Sequence, residues 1–166
     1  IRTVSPGGLG KVKELDVMDP SSTKQIAEKQ ITLYQIFERS SHYDAIAREW
    51  VTKYRMCFEV ALPELEDSLK RGFDFSEAIA QAFIKLLATS PDTLIARKAG
   101  WEEAERVAKA AKEAYEAGGV LTDEGCRRVL KLDRSLRERG NLLNPGSTAD
   151  IACATSMIAL LRGAKP

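Results

Sequence analysis

Ser76-Glu77-Ala78-Ile79-Ala80-Gln81-Ala82-Phe83-Ile84-Lys85-Leu86-Leu87, closed by Ser90-Pro91, decides the fold class of this chain. Serine is an N-cap residue type, the interior consists mostly of good helix formers, and proline stops the run. The stretch therefore reads as a helix and not a strand. The same grammar extends outward in both directions. Upstream, Ile26, Leu33, Ile36 and Phe37 recur on one helical face behind Ser22 or Thr23 as the N-cap. A second helix from near Ser41 stacks Tyr43, Ile46, Ala47, Trp50, Val51 and Tyr54 on its inner side, and a third opens at Pro63 and closes at Gly72. Downstream, Trp101 to Tyr115 is an alanine-rich helix stopped by Gly118-Gly119. Thr122-Asp123-Glu124 opens another that runs to Gly140. After Asn144-Pro145-Gly146 a last helix runs from about Ser147 to Arg162, apolar on nearly every face. Nowhere do β-branched residues alternate with period two. The expectation is an all-α bundle of about six or seven helices with the C-terminal helix buried at its centre. Phe83, Trp50 and Trp101 are expected in the core.

Pro6, Gly7, Gly8, Gly10 and Pro20 set the first twenty residues apart as a loop-rich lead-in. Residues 1–166 otherwise read as a single domain. The chain opens Ile1-Arg2-Thr3-Val4-Ser5-Pro6 without a Met or a signal-peptide pattern, which reads as a fragment of something longer.

Charge and composition narrow the functions. Lys and Arg number 25 against 24 Asp and Glu, so the net charge is only +1 and a general nucleic-acid coat is excluded. No apolar run reaches the ~20 residues of a membrane span; the longest, Ile151 to Leu161, is interrupted by Cys153, Thr155 and Ser156. The three cysteines, Cys57, Cys126 and Cys153, have neither metal-ligand nor redox spacing, which is the pattern of free thiols in a reducing cytoplasm. With His42 as the single histidine, a His-based zinc site or Ser-His-Asp triad has little to work with. Catalysis, if present, falls to carboxylates, hydroxyls, Lys and Arg.

Four local patterns carry candidate chemistry. In Asn144-Pro145-Gly146-Ser147-Thr148-Ala149-Asp150, a glycine and two hydroxyls begin an apolar helix. Free amides and the positive dipole end suit a phosphate there, and Asp150 one turn in suits the accompanying Mg²⁺. The same residues equally make an ordinary N-cap with a dipole-matching Asp. In Asp92-Thr93-Leu94-Ile95-Ala96-Arg97-Lys98, an acid precedes two bases by about a turn, which suits a metal–phosphate group or a capped short helix with a solvated basic end. Ser5-Pro6-Gly7-Gly8-Leu9-Gly10-Lys11 lets backbone approach a ligand beside a lysine, but does not match a P-loop and also reads as a surface loop. In Asp44-Ala45-Ile46-Ala47-Arg48-Glu49, Asp44 and Arg48 are spaced as an intrahelical pair.

Together these residues resemble one family. Asp92-Thr93-Leu94-Ile95-Ala96-Arg97-Lys98-Ala99-Gly100 followed by Asn144-Pro145-Gly146-Ser147-Thr148-Ala149-Asp150 is similar to the triphosphoribosyl-dephospho-CoA synthases, above all archaeal members. Ser5-Pro6-Gly7-Gly8-Leu9-Gly10 and Tyr43 to Trp50 also resemble that branch. Bacterial members carry Asn-Pro-Gly-Gly-Ser-Ala-Asp where this chain has Gly-Ser-Thr after Asn144-Pro145. The family's Pro-Lys-Pro-Gly segment and its Asn-Thr-containing glycine-rich segment have no counterpart here, and the resemblance implies that residues 1–166 are the C-terminal part of a longer catalytic domain. The resemblance implies a transferase that joins ATP to dephospho-CoA, or a similar acceptor, and releases adenine. The implied chemistry is displacement at C1′ of ATP by a ribose hydroxyl, with oxocarbenium character.

On that resemblance, Gly146, Ser147, Thr148 and Asn144 are assigned to phosphate, with Arg97, Lys98 and Lys11 supplying charge. Asp92 and Asp150 are assigned to Mg²⁺ or general-base work, and Asp44, Arg48 and Glu49 to the facing wall of the cleft. The partners expected are ATP and the acceptor, with no nucleic acid and no membrane, and either an N-terminal half or a second copy. Two other readings stand beside it: a helical nucleotide-binding or interaction module, and a structural half-domain without activity of its own.

Overall fold

The computed structural model describes residues 19–166, and among them the chain is helical with no strand. Lys11 and the Ser5–Gly10 segment lie outside the described residues. Nine α-helices are present among the described residues, not six or seven: α1 Pro20–Glu28, α2 Leu33–Ser40, α3 Ala45–Val51, α4 Leu62–Lys70, α5 Phe75–Thr89, α6 Thr93–Ala99, α7 Trp101–Glu116, α8 Asp123–Arg137 and α9 Gly146–Leu161.

Two local causes account for the larger number. The first expected helix is broken at Gln30, whose φ is 49°. Thr32 then restarts the chain with a capping box, accepting from the Gln35 amide while the Gln35 side chain accepts from the Thr32 amide. The second cause is Gly100, at φ 95°, which closes α6 and begins α7 without a loop between them. Only seven residues long, α6 has little apolar periodicity to show in the sequence.

The helix at the centre is α5, not the C-terminal helix. Asp74 and Glu77 form a capping box at its start, at 2.8 and 2.9 Å, and no residue from Ala78 to Ala88 is exposed. Ala78, Ala82 and Leu86 pack with Cys57, Ala61, Leu62, Leu65, Ile151, Ala152 and Ala159, joining α5 to α4 and α9. From another side of α5, Ile84 and Leu87 pack with Ile95, Val107, Ala111, Leu132 and Leu143, joining it to α6, α7 and α8. The alanine seams let helix backbones approach closely, and the leucines fill the space between them.

By contrast α9 buries one face, through Ser147, Thr148, Ile151, Ala152, Thr155 and Ala159, and exposes Met157, Leu160 and Leu161. An all-round apolar sequence thus misled about burial. Trp50 and Trp101 are each 50% exposed and lie at the edge of the fold instead of in its core. Trp50 stacks on Phe37 at a ring-centroid distance of 5.6 Å and meets Tyr54 at a tilt, 5.4 Å away.

Between α3 and α4 the chain does something less regular. Lys53 and Tyr54 both have positive φ, 59° and 61°, and a π-helical turn at Cys57–Ala61 then runs directly into α4. Two consecutive left-handed non-glycine residues cost energy and persist only where the surroundings fix them.

Candidate functional site

A cavity of about 330 Å³ opens where α3, the π-turn, the end of α5 and the starts of α6 and α9 converge. Its walls carry Arg48 and Glu49 from α3, Arg55, Met56 and Glu59 from the turn and π-helix, and Asp92, Ser147 and Thr148 from the two helix starts. The structure therefore brings together five of the residues singled out in the sequence: Arg48, Glu49, Asp92, Ser147 and Thr148.

At the base of the cavity lies Asp92, 2% exposed. Its Oδ1 accepts from the amides of Leu94 and Ile95 at 2.8 and 3.1 Å, capping α6. Its Oδ2 accepts from the amide and the hydroxyl of Thr148 at 2.7 and 2.8 Å, capping α9. A buried carboxylate without a cation is tolerable only when its lone pairs are satisfied, and here two helix starts supply four donors. The positive helix end that the sequence offers to a phosphate is thus held by the chain's own carboxylate. Thr93 Oγ1 lies 3.0 Å from Ser147 Oγ and accepts from the Ala45 amide at 3.0 Å, tying α3 to the same junction. Gly146 sits close against α6; a Cβ there would fall 2.5 Å from Leu94 Cδ2.

The facing wall is built on α3. Asp44 caps this helix through Oδ1, accepting from Ile46 and Ala47 at 2.8 and 3.1 Å. Its other oxygen accepts from Arg97 at 2.6 Å, so Arg97 is neutralised across the α3–α6 junction. Arg48 is not the partner of Asp44 that its spacing suggests. Its Nε donates to the Ser41 carbonyl at 2.8 Å and an Nη to the His42 carbonyl at 3.3 Å. Among the described residues no carboxylate pairs with Arg48. A guanidinium held on two carbonyl oxygens beside a cavity keeps its full charge and is fixed in place.

Glu49 is 4% exposed, and among the described residues it too pairs with no cation. Its two oxygens accept from the Met56 and Cys57 amides at 3.0 and 3.1 Å, holding the start of the π-turn. The Cys57 thiol donates to the Ile151 carbonyl at 3.6 Å, fastening that turn to α9. Burial pushes this thiol up to about 11.

The remaining sequence candidates lie apart from the cavity. Asn144 lines a separate groove with Phe83, Asp133 and Pro145. Lys98 donates to the Asn141 carbonyl at 3.2 Å, and Asp150 is exposed and not among the cavity walls. Among the described residues no group of three or more His, Cys, Asp or Glu could hold a metal ion. Both Asp92 oxygens already accept two hydrogen bonds each. Reading the sequence passed over Arg55 and Glu59, because they lie on an irregular segment with no motif; their i, i+4 spacing was the one available signal.

Among the described residues no helix is long and apolar enough to cross a membrane. No solved structure gives a significant match to the chain. Among curated proteins, one from Photobacterium profundum is named "Probable 2-(5''-triphosphoribosyl)-3'-dephosphocoenzyme-A synthase" and is 29% identical over 111 residues, 63% of this chain and 33% of that protein. Proteins of the same name from Pseudomonas syringae pv. tomato and Stutzerimonas stutzeri are 25% and 31% identical, over 75% and 58% of this chain and 45% and 33% of their own lengths. The chain spans less than half the length of these relatives. The family model for ATP:dephospho-CoA triphosphoribosyl transferase matches residues 1–166, and the chain belongs to that family.

Proposed function

We propose that this chain supplies the triphosphate-holding part of an enzyme that transfers the triphosphoribosyl group of ATP to dephospho-CoA or a closely similar acceptor. Family membership supports the reaction class. The observation that carries the placement is Arg48, a cavity-wall guanidinium pinned by the Ser41 and His42 carbonyls with no carboxylate partner among the described residues. A fixed, uncompensated guanidinium suits a phosphate oxyanion, because its donors need no reorganisation when the anion arrives.

In this reading the hydroxyl of the acceptor ribose attacks C1′ of ATP, the bond from C1′ to adenine breaks, and adenine leaves with a proton. The acceptor's own proton passes to a base. Asp92, Ser147 and Thr148 hold the α6–α9 junction and fix the cavity floor, and Gly146 lets α6 come close. Arg97, neutralised by Asp44, positions α3 against α6. Mg²⁺ enters as part of the Mg·ATP substrate, and Asp150, exposed on the first turn of α9, is the motif carboxylate free to meet it. Lys98 and Asn144 are assigned to the parts of the two substrates that extend beyond the cavity, and Lys11 keeps the phosphate-charge role that the resemblance implies.

Incubation with ATP, Mg²⁺ and dephospho-CoA, in a protein of the relatives' full length, tests the reaction. Adenine and the triphosphoribosyl product should appear in equal amounts. No adenine with any CoA-type acceptor would remove the assignment, and an Asp150→Asn protein with unchanged ATP binding and turnover would remove Asp150 from the site.

A further inference from the structure

Of the five charged residues that line the cavity among the described residues, three are acids (Glu49, Glu59 and Asp92) and two are bases (Arg48 and Arg55). A cavity with that balance repels a triphosphate unless the acids are turned to donors of the chain itself. Two of them are. Asp92 is surrounded by four hydrogen-bond donors and Glu49 by two backbone amides. Glu59 is different, because its Oε2 accepts from Arg55 Nε at 2.9 Å, and the pair is open to solvent with side chains 68% and 64% exposed. Exposed pairs of this kind contribute little and are easily exchanged.

We propose that Arg55 is a second oxyanion-binding residue of this cavity, and that Glu59 is its displaceable counter-ion. This rests on the nucleotide reading given above. Arg48 is the fixed cation, anchored by two carbonyls; Arg55 is the mobile one, held by Glu59 until a triphosphate enters and takes its place. The backbone that delivers Arg55 supports this role. Residues Lys53 and Tyr54 take left-handed conformations immediately before it. The Tyr54 amide donates to the Glu49 carbonyl at 2.6 Å, and the Glu49 side chain then holds the amides of Met56 and Cys57. Strained turns and π-turns are retained where a side chain must be aimed. Here they bring Arg55 and Glu59, one helical turn apart, onto the cavity wall.

Calorimetric titration of the chain with inorganic tripolyphosphate, and separately with adenosine, tests the proposal. Arg55→Gln should weaken tripolyphosphate binding about tenfold, the loss of one charge-assisted contact, and leave adenosine binding unchanged. Glu59→Gln should tighten tripolyphosphate binding severalfold, with and without Mg²⁺, by removing the competitor. Both side chains are exposed, so melting temperatures should match the wild type. Unchanged binding in Arg55→Gln, or weaker binding in Glu59→Gln, overturns the proposal. If those results accompany a clear loss in Arg48→Gln, the nucleotide reading survives alone; if the wild-type chain binds neither tripolyphosphate nor ATP, both fall.

Discussion

Asp92 and Thr148 stand 56 positions apart in sequence, yet both the amide and the hydroxyl of Thr148 donate to a single oxygen of Asp92. The other oxygen caps α6, so one buried carboxylate joins the starts of two helices. This joint sets the floor of the cavity and explains why acid and hydroxyl motifs so distant in the chain belong together.

Asp92→Asn should therefore destabilise the protein by about 2–4 kcal/mol, because an amide cannot accept at both positions and its NH₂ would face donors. Thr148→Val keeps the amide bond and should cost about 1 kcal/mol. Urea unfolding of the two variants checks the ordering. Equal losses would show that the carboxylate is not the joint.

Glu49 is the equivalent joint for the π-turn. In Glu49→Gln the side-chain NH₂ meets one of the amides of Met56 or Cys57, leaving a buried donor unsatisfied at a cost of about 1–3 kcal/mol. Amide hydrogen exchange should quicken at Met56 and Cys57 before it quickens in α5. Exchange that is uniform across the chain would argue against a local role.

Burial raises the Cys57 thiol from 9.0 to about 11. The folded state then keeps a proton that the unfolded chain gives up, so this contribution is intact below pH 9 and is lost as pH climbs from 9 toward 11. Stability relative to Cys57→Ala should fall by on the order of 2 kcal/mol across that window. At neutral pH a thiol reagent should modify exposed Cys153 quickly and Cys57 only after unfolding. A flat stability difference between the two proteins above pH 9 would refute the shift.

Much of the fold was legible in the sequence, and where it was not the reasons are physical. Caps and breakers such as Pro91, Gly118 and Thr122 marked helices without tertiary information. The break at Gln30 had no glycine or proline to announce it, and α6 was too short for a period. Burial misled for α9, since apolar residues around a helix do not say which face its neighbours cover, whereas α5 revealed its central place only through packing on two sides. In the site, the junction of Asp92 with Thr148 and of Thr93 with Ser147 uses motif residues that sequence could flag. Their role as a joint it could not, because a free helix start and one capped by a distant carboxylate look the same in sequence. Arg48 was visible as half of an expected pair and, through the resemblance, as a wall residue of the cleft, while its actual anchors are the backbone carbonyls of Ser41 and His42.

The most direct test of the central claim is calorimetric binding of Mg·ATP to the wild-type chain and to Arg48→Gln. If Arg48 holds the triphosphate, the wild type binds Mg·ATP in a way that tripolyphosphate displaces and that weakens at high ionic strength, with a loss of at least about tenfold in Arg48→Gln and little change in melting temperature. Equal affinity of the two proteins for Mg·ATP would contradict it.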